Sequence, residues 1–345
     1  MSDSDQPGDT MRERAGRSAW LLYLLLDANR WVVAGILSAV LFLSLVAAGV
    51  AHPVPTQTLV TTGDPIETLF QALVTGIITA VTLVLTLSQL VLSQELGAAG
   101  DQRDRMAGAM EFRDDVADVL GTAISPAEPS AFLRSLVRAT GEQARDIDDR
   151  LDHDALDAEL TELLSTYLDS ITGNADAVTE QLDGANFGEF DVLKAALNYN
   201  YSWKLYAGRR ITESYADQLP DDLTTRLDRL NRTLELFGPA REHFKTLYFQ
   251  WELSNLSRTL LYVSVPALAV TISSLLFLNP ADFAGVTLGV ADSLYLVAAA
   301  VTISMLPFTL LLAYILRIVT VTKRTLSIGP FILRETDRSV DVDWD

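Results

Sequence analysis

The chain has 345 residues, no cysteine, three histidines and a formal net charge of −19, from 45 acidic and 26 basic side chains. The lack of cysteine excludes disulfides, thiolate nucleophiles and cysteine-ligated metals. The acidic balance and the lack of a basic patch argue against a nucleic-acid partner, and we attribute the excess of acids to solubility in concentrated salt.

Four long runs without a charged side chain organise the sequence. They cover residues 31–51, 68–94, 259–281 and 293–316. A bilayer core of about 30 Å needs about 20 apolar residues as a helix, and each run is at least that long. Backbone groups in lipid must pair within their own segment. The sequence therefore predicts an all-α membrane protein with four transmembrane helices and a large helical cytoplasmic insertion between helices two and three.

The first run has a second interpretation, as a cleaved signal peptide, because it ends in small residues at 47–51. It is longer than the apolar core of a usual signal peptide. Trp31 also stands at its start, as expected for a helix that begins at a membrane interface. These features favour a retained helix.

Basic residues lie on one predicted side of the four runs. All 26 Lys and Arg precede the first run, separate the second from the third, or follow the fourth. The connections 52–67 and 282–292 contain none. By the positive-inside rule, both termini and the long insertion are cytoplasmic, and we expect a multi-pass protein of the cell membrane.

This topology defines the predicted domains. Two of them are tails, two are pairs of membrane helices, and the largest carries 31 acids and 16 bases. They are a cytoplasmic N-terminal tail with an interfacial segment at 1–30, transmembrane helices one and two at 31–94, a cytoplasmic helical domain at 95–257, transmembrane helices three and four at 258–317, and a cytoplasmic C-terminal tail at 318–345.

The insertion has the apolar spacing of helices. From Leu156 to Leu182, apolar residues recur at steps of three and four, and turn-forming residues elsewhere predict about five helices separated at Ser125-Pro126, Gly184, Pro220 and Gly238-Pro239. From Pro239 the third membrane helix is expected to run on without a break into its apolar segment. Helix two is expected to continue through 95–120, so that the two helices form paired stalks.

A polar stripe runs along helix two. Its members recur at steps of three or four, the spacing of one helix face, in a segment otherwise rich in Leu, Val, Ile and Ala. Polar groups facing lipid are costly, so the stripe is expected to face protein or water. The seven residues are Gln71, Thr75, Thr79, Thr82, Thr86, Gln89 and Ser93.

Two hypotheses explain the polar stripe. Packing against other helices would contribute about 0.6–2 kcal/mol for each interhelical hydrogen bond. Alternatively, copies of helix two from several subunits would line a pore. No charged ring accompanies the stripe within the run, which favours packing.

Several functional classes lack support in the sequence. None of the four runs contains Asp, Glu, Lys, Arg or His, which disfavours ion-coupled transport. No phosphate-binding glycine loop, nucleophile elbow or zinc-helix motif is present, so we expect neither an enzyme nor a cofactor. The carboxylates between Asp146 and Asp157 miss the spacing of a calcium loop, and the histidines lie far apart, so no metal is expected.

Aromatic and basic residues near the ends of the runs predict contacts with lipid head groups. These membrane-interface anchors are Trp20, Trp31, Trp251, Arg258 and Arg317. A further aromatic group at 199–206 stands beside Arg209 and Arg210. Such a group is typical of phosphate or base binding, or of a helix core, and we favour the core.

Three segments carry a family resemblance. They are PAREHFKTLYFQWELSNLSRTLLYVSVP at 239–266, RTLSIGPFILRE at 324–335 and LSQLVLSQELG at 87–97. Together they resemble an uncharacterised family of four-pass haloarchaeal membrane proteins, which implies a halophilic archaeal protein and a location in the membrane. The layout is also similar, in topology alone, to bestrophin-type channels.

The sequence thus favours a non-enzymatic membrane protein with a role in interaction, scaffolding or signalling. The alternative is a homo-oligomeric ion channel with helix two lining the pore. The expected partners are the lipid bilayer, further copies of the chain and a soluble cytoplasmic protein.

Overall fold

A computed structural model describes most of the chain. The described residues are 20, 23–53, 58, 64–95, 97–151, 156–185, 190–283 and 285–324. Within them the fold is all-α, as predicted, with ten α-helices and one short β-hairpin, β1 (Val286–Thr287) with β2 (Val290–Ala291). The helices are α1 (Arg30–Ala51), α2 (Pro65–Glu95), α3 (Ala99–Leu120), α4 (Pro129–Asp148), α5 (Ala158–Leu182), α6 (Phe190–Leu197), α7 (Tyr201–Ser214), α8 (Asp221–Phe277), α9 (Asp292–Ser304) and α10 (Leu306–Arg324).

The chain divides into two compact units. The first, which we call the helical insertion, is formed mainly by Gly97–Phe249. The second, which we call the apolar unit, combines Tyr23–Leu96 with Gln250–Thr320. Helix α8 supplies residues to both units.

The long apolar helices agree with the predicted spans, with one correction. In the described part of the chain α1, residues 65–90 of α2, and α8 are each long and apolar enough to cross a membrane. The fourth predicted helix is two helices, α9 and α10, bent by 49° at Met305. Pro307 explains the bend, because it has no N–H for the carbonyl of Ile303 and its ring would crowd that carbonyl. The count of spans is therefore three, or four if the bent pair is one span.

Small side chains and hydroxyl pairs hold the apolar unit together. Helices α1 and α10 meet through Val33, Ala34, Leu310 and Ala313. The hydroxyls of Ser38 and Thr309 lie 3.1 Å apart at the same contact. Small residues of this kind let helix backbones approach closely and allow hydroxyls to bond across the interface. Hydroxyl pairs also join Thr271 of α8 to Ser304 of α9, and Ser88 of α2 to Ser257 of α8.

The helical insertion has its own apolar core. Helix α5 buries the face that the apolar spacing predicted, including Leu160, Leu164, Ile171 and Leu182, and α4 also contributes a buried face to this core. The aromatic group at the start of α7 also belongs to the core, because Tyr201 and Trp203 of this helix and Tyr199 just before it are buried. These side chains are therefore part of the packing.

Two boundaries in the insertion differ from the prediction. Among the residues that the structure describes, the insertion contains α3 to α7 and the first part of α8, six helices where about five were expected, and residues 198–200 separate α6 from α7 where no break was predicted. The predicted break at Gly238-Pro239 is wrong, since α8 continues through it. Proline in a helix interior costs about 3 kcal/mol. Burial of the neighbouring Phe237 and Ala240 offsets that cost.

The predicted continuation of helix two is also wrong. Helix α2 ends at Glu95, α3 begins at Ala99, and Ala98 has an extended backbone with ψ of 155°. Gly97, which is costly inside a helix, lies in this break. The paired-stalk hypothesis therefore fails for α2, whereas α8 runs unbroken over 57 residues.

Candidate functional site

Helix α2 has one buried face within the apolar unit. Phe70, completely buried, packs near Ala300 and Val301 of α9. One end of the helix is thereby held against α9. Farther along, Val84 packs with Leu256 and Leu260 of α8 and with Tyr314 of α10. These contacts fix the rotation of α2, and so determine which residues it presents on its other side.

The polar stripe lies on the opposite side of α2 and is exposed. All seven predicted residues are exposed in the single chain, so the structure brings them together on one open face: Gln71, Thr75, Thr79, Thr82, Thr86, Gln89 and Ser93. None of them packs in the core of the apolar unit. Since an isolated polar face in lipid is unfavourable, the stripe needs an environment that a single chain does not supply.

Two exposed residues extend the stripe beyond the predicted set. Thr68 lies three residues before Gln71, and Glu67 lies four residues before it, so both stand one turn above Gln71. Their spacing of three and four residues from Gln71 is the sequence pattern that places them beside the stripe. Both lie outside the predicted stripe, because Glu67 precedes the uncharged run and Thr68 precedes the first amide, Gln71.

The hydroxyl groups of the stripe donate to the backbone of their own helix. Thr75 and Thr79 donate to the carbonyls of Gln71 and Thr75 at 3.2 and 2.8 Å. Thr82 and Thr86 donate to the carbonyls of Ile78 and Thr82 at 2.9 and 2.8 Å. This bonding to the preceding turn is common for threonine in helices. It uses the hydroxyl hydrogen and leaves the oxygen lone pairs free to accept.

The two amides of the stripe differ from the hydroxyls. Within the part of the chain that the structure describes, the side chains of Gln71 and Gln89 are exposed and have no hydrogen-bond partner. An amide carries two N–H donors and a carbonyl acceptor, which its own helix backbone cannot satisfy. Exposure of such a group to hydrocarbon costs several kcal/mol, roughly 4–8 on a cyclohexane scale. These two residues are the strongest indication that lipid does not cover the stripe.

The charge around α2 has one sign. From Arg30 to Arg103 no Lys or Arg intervenes, whereas four carboxylates do. Two of them, Asp64 and Glu67, are exposed at the first turn of α2. Any aqueous path along the stripe would therefore start between carboxylates, with no cationic side chain on this helix.

The predicted interface anchors fall into two groups. Trp20, Trp31, Trp251 and Arg258 are exposed. Arg317 has partners inside the protein instead, because its guanidinium lies beside the buried Glu252 and donates to the carbonyl of Ala28 at 3.2 Å. Sequence position alone had not separated Arg317 from the other anchors.

Two buried polar side chains of the helical insertion, Lys204 and Tyr167, have partners within its core. Lys204, fully buried, lies over the ring of Tyr199 and 3.5 Å from the Ser170 hydroxyl. Burial raises the pKa of the Tyr167 phenol, which donates to the carbonyl of Lys204 at 3.0 Å. No cluster of His, Asp or Glu suited to a metal ion occurs among the described residues. The exposed stripe of α2 is accordingly the candidate site.

One comparison with known proteins identifies the chain at the level of a family. A family model matches it over residues 1–345. The chain belongs to the family of unknown function DUF7972. The expected likeness to an uncharacterised family is confirmed to that extent. No curated protein and no solved structure matches the chain. Membership of DUF7972 assigns no activity.

Proposed function

We propose that this member of DUF7972 is a homo-oligomeric ion channel in which the polar stripe of α2 lines the pore. The chain would cross the cell membrane four times, the bent pair α9 and α10 counting as one span, with both termini and the helical insertion in the cytoplasm. The proposal rests on one observation, that all seven residues of the stripe are exposed in the single chain.

A second copy of the chain is the partner that best fits this face. The opposite face of α2 is already packed, so no helix of the same apolar unit covers the stripe. Symmetric copies would present the same polar groups to one another around an axis, which is how most oligomers of a single chain assemble. The stripe would then face protein or water along its length.

The hydroxyl geometry favours water over a dry helix interface. In a dry contact between stripes, hydroxyl oxygens would meet hydroxyl oxygens whose hydrogens already bond to the helix backbone. Such a contact needs one hydroxyl of each pair to turn its hydrogen from the backbone toward its neighbour, because one partner must donate. A water-filled path lets each oxygen accept from water and also satisfies the amides of Gln71 and Gln89.

The absence of cysteine permits a direct test of the assembly. We expect Thr82→Cys, the only thiol in its chain, to form crosslinks between copies in native membranes when oxidised. Ser44→Cys is the matched control, because Ser44 of α1 is also exposed and also donates to its own helix. Equal crosslinking of the two variants, or none of either, would contradict an assembly through α2.

Conduction is tested in planar bilayers with the purified full chain. The unmodified protein should carry current, and both Thr82→Leu and Gln89→Leu should abolish it because they remove polar groups from the path. Ser44→Leu should retain the current. The absence of current from the unmodified protein across salt concentration, voltage and membrane tension would overturn the proposal.

A second candidate function, an interaction role without catalysis, is favoured by α3. Residues 99–110 are exposed on every side, and they include Met106 and Met110, one helical turn apart. Flexible methionine side chains suit a protein-binding surface. A soluble cytoplasmic partner would be recovered by crosslinking from native cells and lost in the variant Met106→Asp with Met110→Asp. Recovery of the chain alone would count against this role.

A further inference from the structure

The lone pairs of the stripe point to the class of ion that it conducts. Each threonine hydroxyl from Thr75 to Thr86 uses its hydrogen on the backbone of α2. The oxygen that faces outward is then an acceptor and has no hydrogen for an anion. Oxygen acceptors can replace the hydration shell of a cation, as carbonyl oxygens do in cation-selective filters.

The carboxylate of Glu67, at the start of the stripe, also favours cations over anions. Glu67 is exposed and lies one turn before Gln71, beside the stripe. In a symmetric assembly one Glu67 from each copy would form a ring of negative charge at the pore entrance. Rings of Asp or Glu are a common device of cation channels, because they raise the local concentration of cations.

The rest of the entrance carries no opposing charge. The connection at 52–67 contains Asp64 and Glu67 and no Lys or Arg. The other connection, at 282–292, contains Asp282 and Asp292 and again no base. Four carboxylates per chain would thus lie on the predicted outer side, where they repel anions and attract cations.

We infer that the pore conducts small cations and that Glu67 sets this selectivity at its entrance. The inference depends on the proposed channel and adds the class of ion and the residue that selects it. Backbone-bonded hydroxyls would ligate the cation along the path, and the two glutamine amides would offer their carbonyl oxygens.

Reversal potentials across a potassium chloride gradient test this inference. The unmodified channel should reverse near the potassium equilibrium potential. Glu67→Gln should shift the reversal potential toward zero and lower the conductance in 0.1 M salt, where the Debye length is about 10 Å. In 1 M salt the Debye length falls to about 3 Å and the difference in conductance should largely disappear.

Two further variants provide the controls. Glu67→Asp keeps the charge and should keep the selectivity, which separates charge from any change in folding. Asp104→Asn removes an exposed carboxylate from α3 in the helical insertion, away from the proposed entrance, and should leave the reversal potential of the unmodified channel unchanged.

The possible outcomes separate the two claims. Cation selectivity that falls in Glu67→Gln alone supports the inference. A current that is selective for anions, or one that Glu67→Gln leaves unaltered, overturns the inference and leaves the channel standing. No current from the unmodified protein overturns the channel itself.

Discussion

The guanidinium of Arg317 and the carboxylate of Glu252 face each other inside the apolar unit, with Nη1 and Oε1 3.5 Å apart. Both side chains are nearly inaccessible to solvent, 12% and 5% exposed. Arg317 also bonds to the carbonyl of Ala28, which Arg30 approaches within 2.7 Å. The backbone that precedes α1 is therefore held by two arginines, and Glu252 supplies a negative charge to one of them.

Removal of that charge should destabilise the apolar unit. In Glu252→Gln the buried guanidinium of Arg317 loses its counter-charge, and the loss of one partner from a buried pair costs about 3 kcal/mol or more. Thermal unfolding in detergent should show a lower Tm than for the unmodified chain. Glu111→Gln, at an exposed position on α3, should leave the Tm unchanged. Equal Tm values for the two variants would show that the pair contributes nothing.

Two glycines of the helical insertion should respond to alanine in opposite directions. A methyl group on Gly208 would collide with the Asn231 amide and the Tyr167 hydroxyl, both buried, so Gly208→Ala should cost about 1–3 kcal/mol. Gly173 of α5 has open space around it, so Gly173→Ala should stabilise the helix by about 0.5–1 kcal/mol. Tm measurements on the full chain test whether each substitution raises or lowers the stability. A Gly208→Ala variant as stable as Gly173→Ala would contradict the close approach.

Features that repeat along a helix could be predicted from the sequence alone. The apolar runs predicted α1, α2 and the apolar part of α8, because about 20 apolar residues have few other arrangements available. The three- and four-residue steps predicted which face of α5 is buried and which residues of α2 share a face. Periodic signals of this kind arise within one element and need no knowledge of its neighbours.

Features that depend on a neighbour were missed. Gly238-Pro239 is a strong breaker on its own, yet α8 continues through it with Phe237 and Ala240 buried on either side. Arg317 was assigned to lipid head groups, because its partner Glu252 lies far away in the sequence. The bend at Pro307 was also missed, although its cause is local. A proline inside an apolar run is visible in the sequence and predicts a bend in the helix.

Acid should weaken the helical insertion through Glu242. Burial opposes ionisation of this carboxylate, but hydrogen bonds from Lys245 and Arg241 hold its pKa below the ordinary value of 4.5. A lowered pKa in the folded state means that the stabilisation is present above pH 4.5 and is lost as the pH falls through the folded value. Glu242→Gln should therefore be less stable than the unmodified chain at pH 7, and the two should converge at low pH.

The control for this pH dependence is Asp228→Asn, which removes an exposed carboxylate from the same helix. Denaturant unfolding at several pH values should give the unmodified chain and Asp228→Asn parallel curves of stability against pH. A Glu242→Gln curve that also runs parallel to them would show that the carboxylate is not coupled to folding.

The hydroxyl pair at the bend between α9 and α10 should contribute measurably to packing. The hydroxyl of Thr271 on α8 lies 2.8 Å from the Ser304 hydroxyl and 2.6 Å from the carbonyl of Ala267, and Ser304 donates to the carbonyl of Ala300 at 2.8 Å. Both residues are completely buried, so each hydroxyl must find its partner within the protein. A double-mutant cycle of Thr271→Val and Ser304→Ala should give a coupling free energy of about 0.6 kcal/mol, the average for hydrogen bonds between membrane helices. The same cycle with Ser44→Ala in place of Ser304→Ala should give none, because Ser44 bonds only to its own helix. Additive effects in the first cycle would mean that the contact between the Thr271 and Ser304 hydroxyls contributes nothing to the packing of α8 against α9.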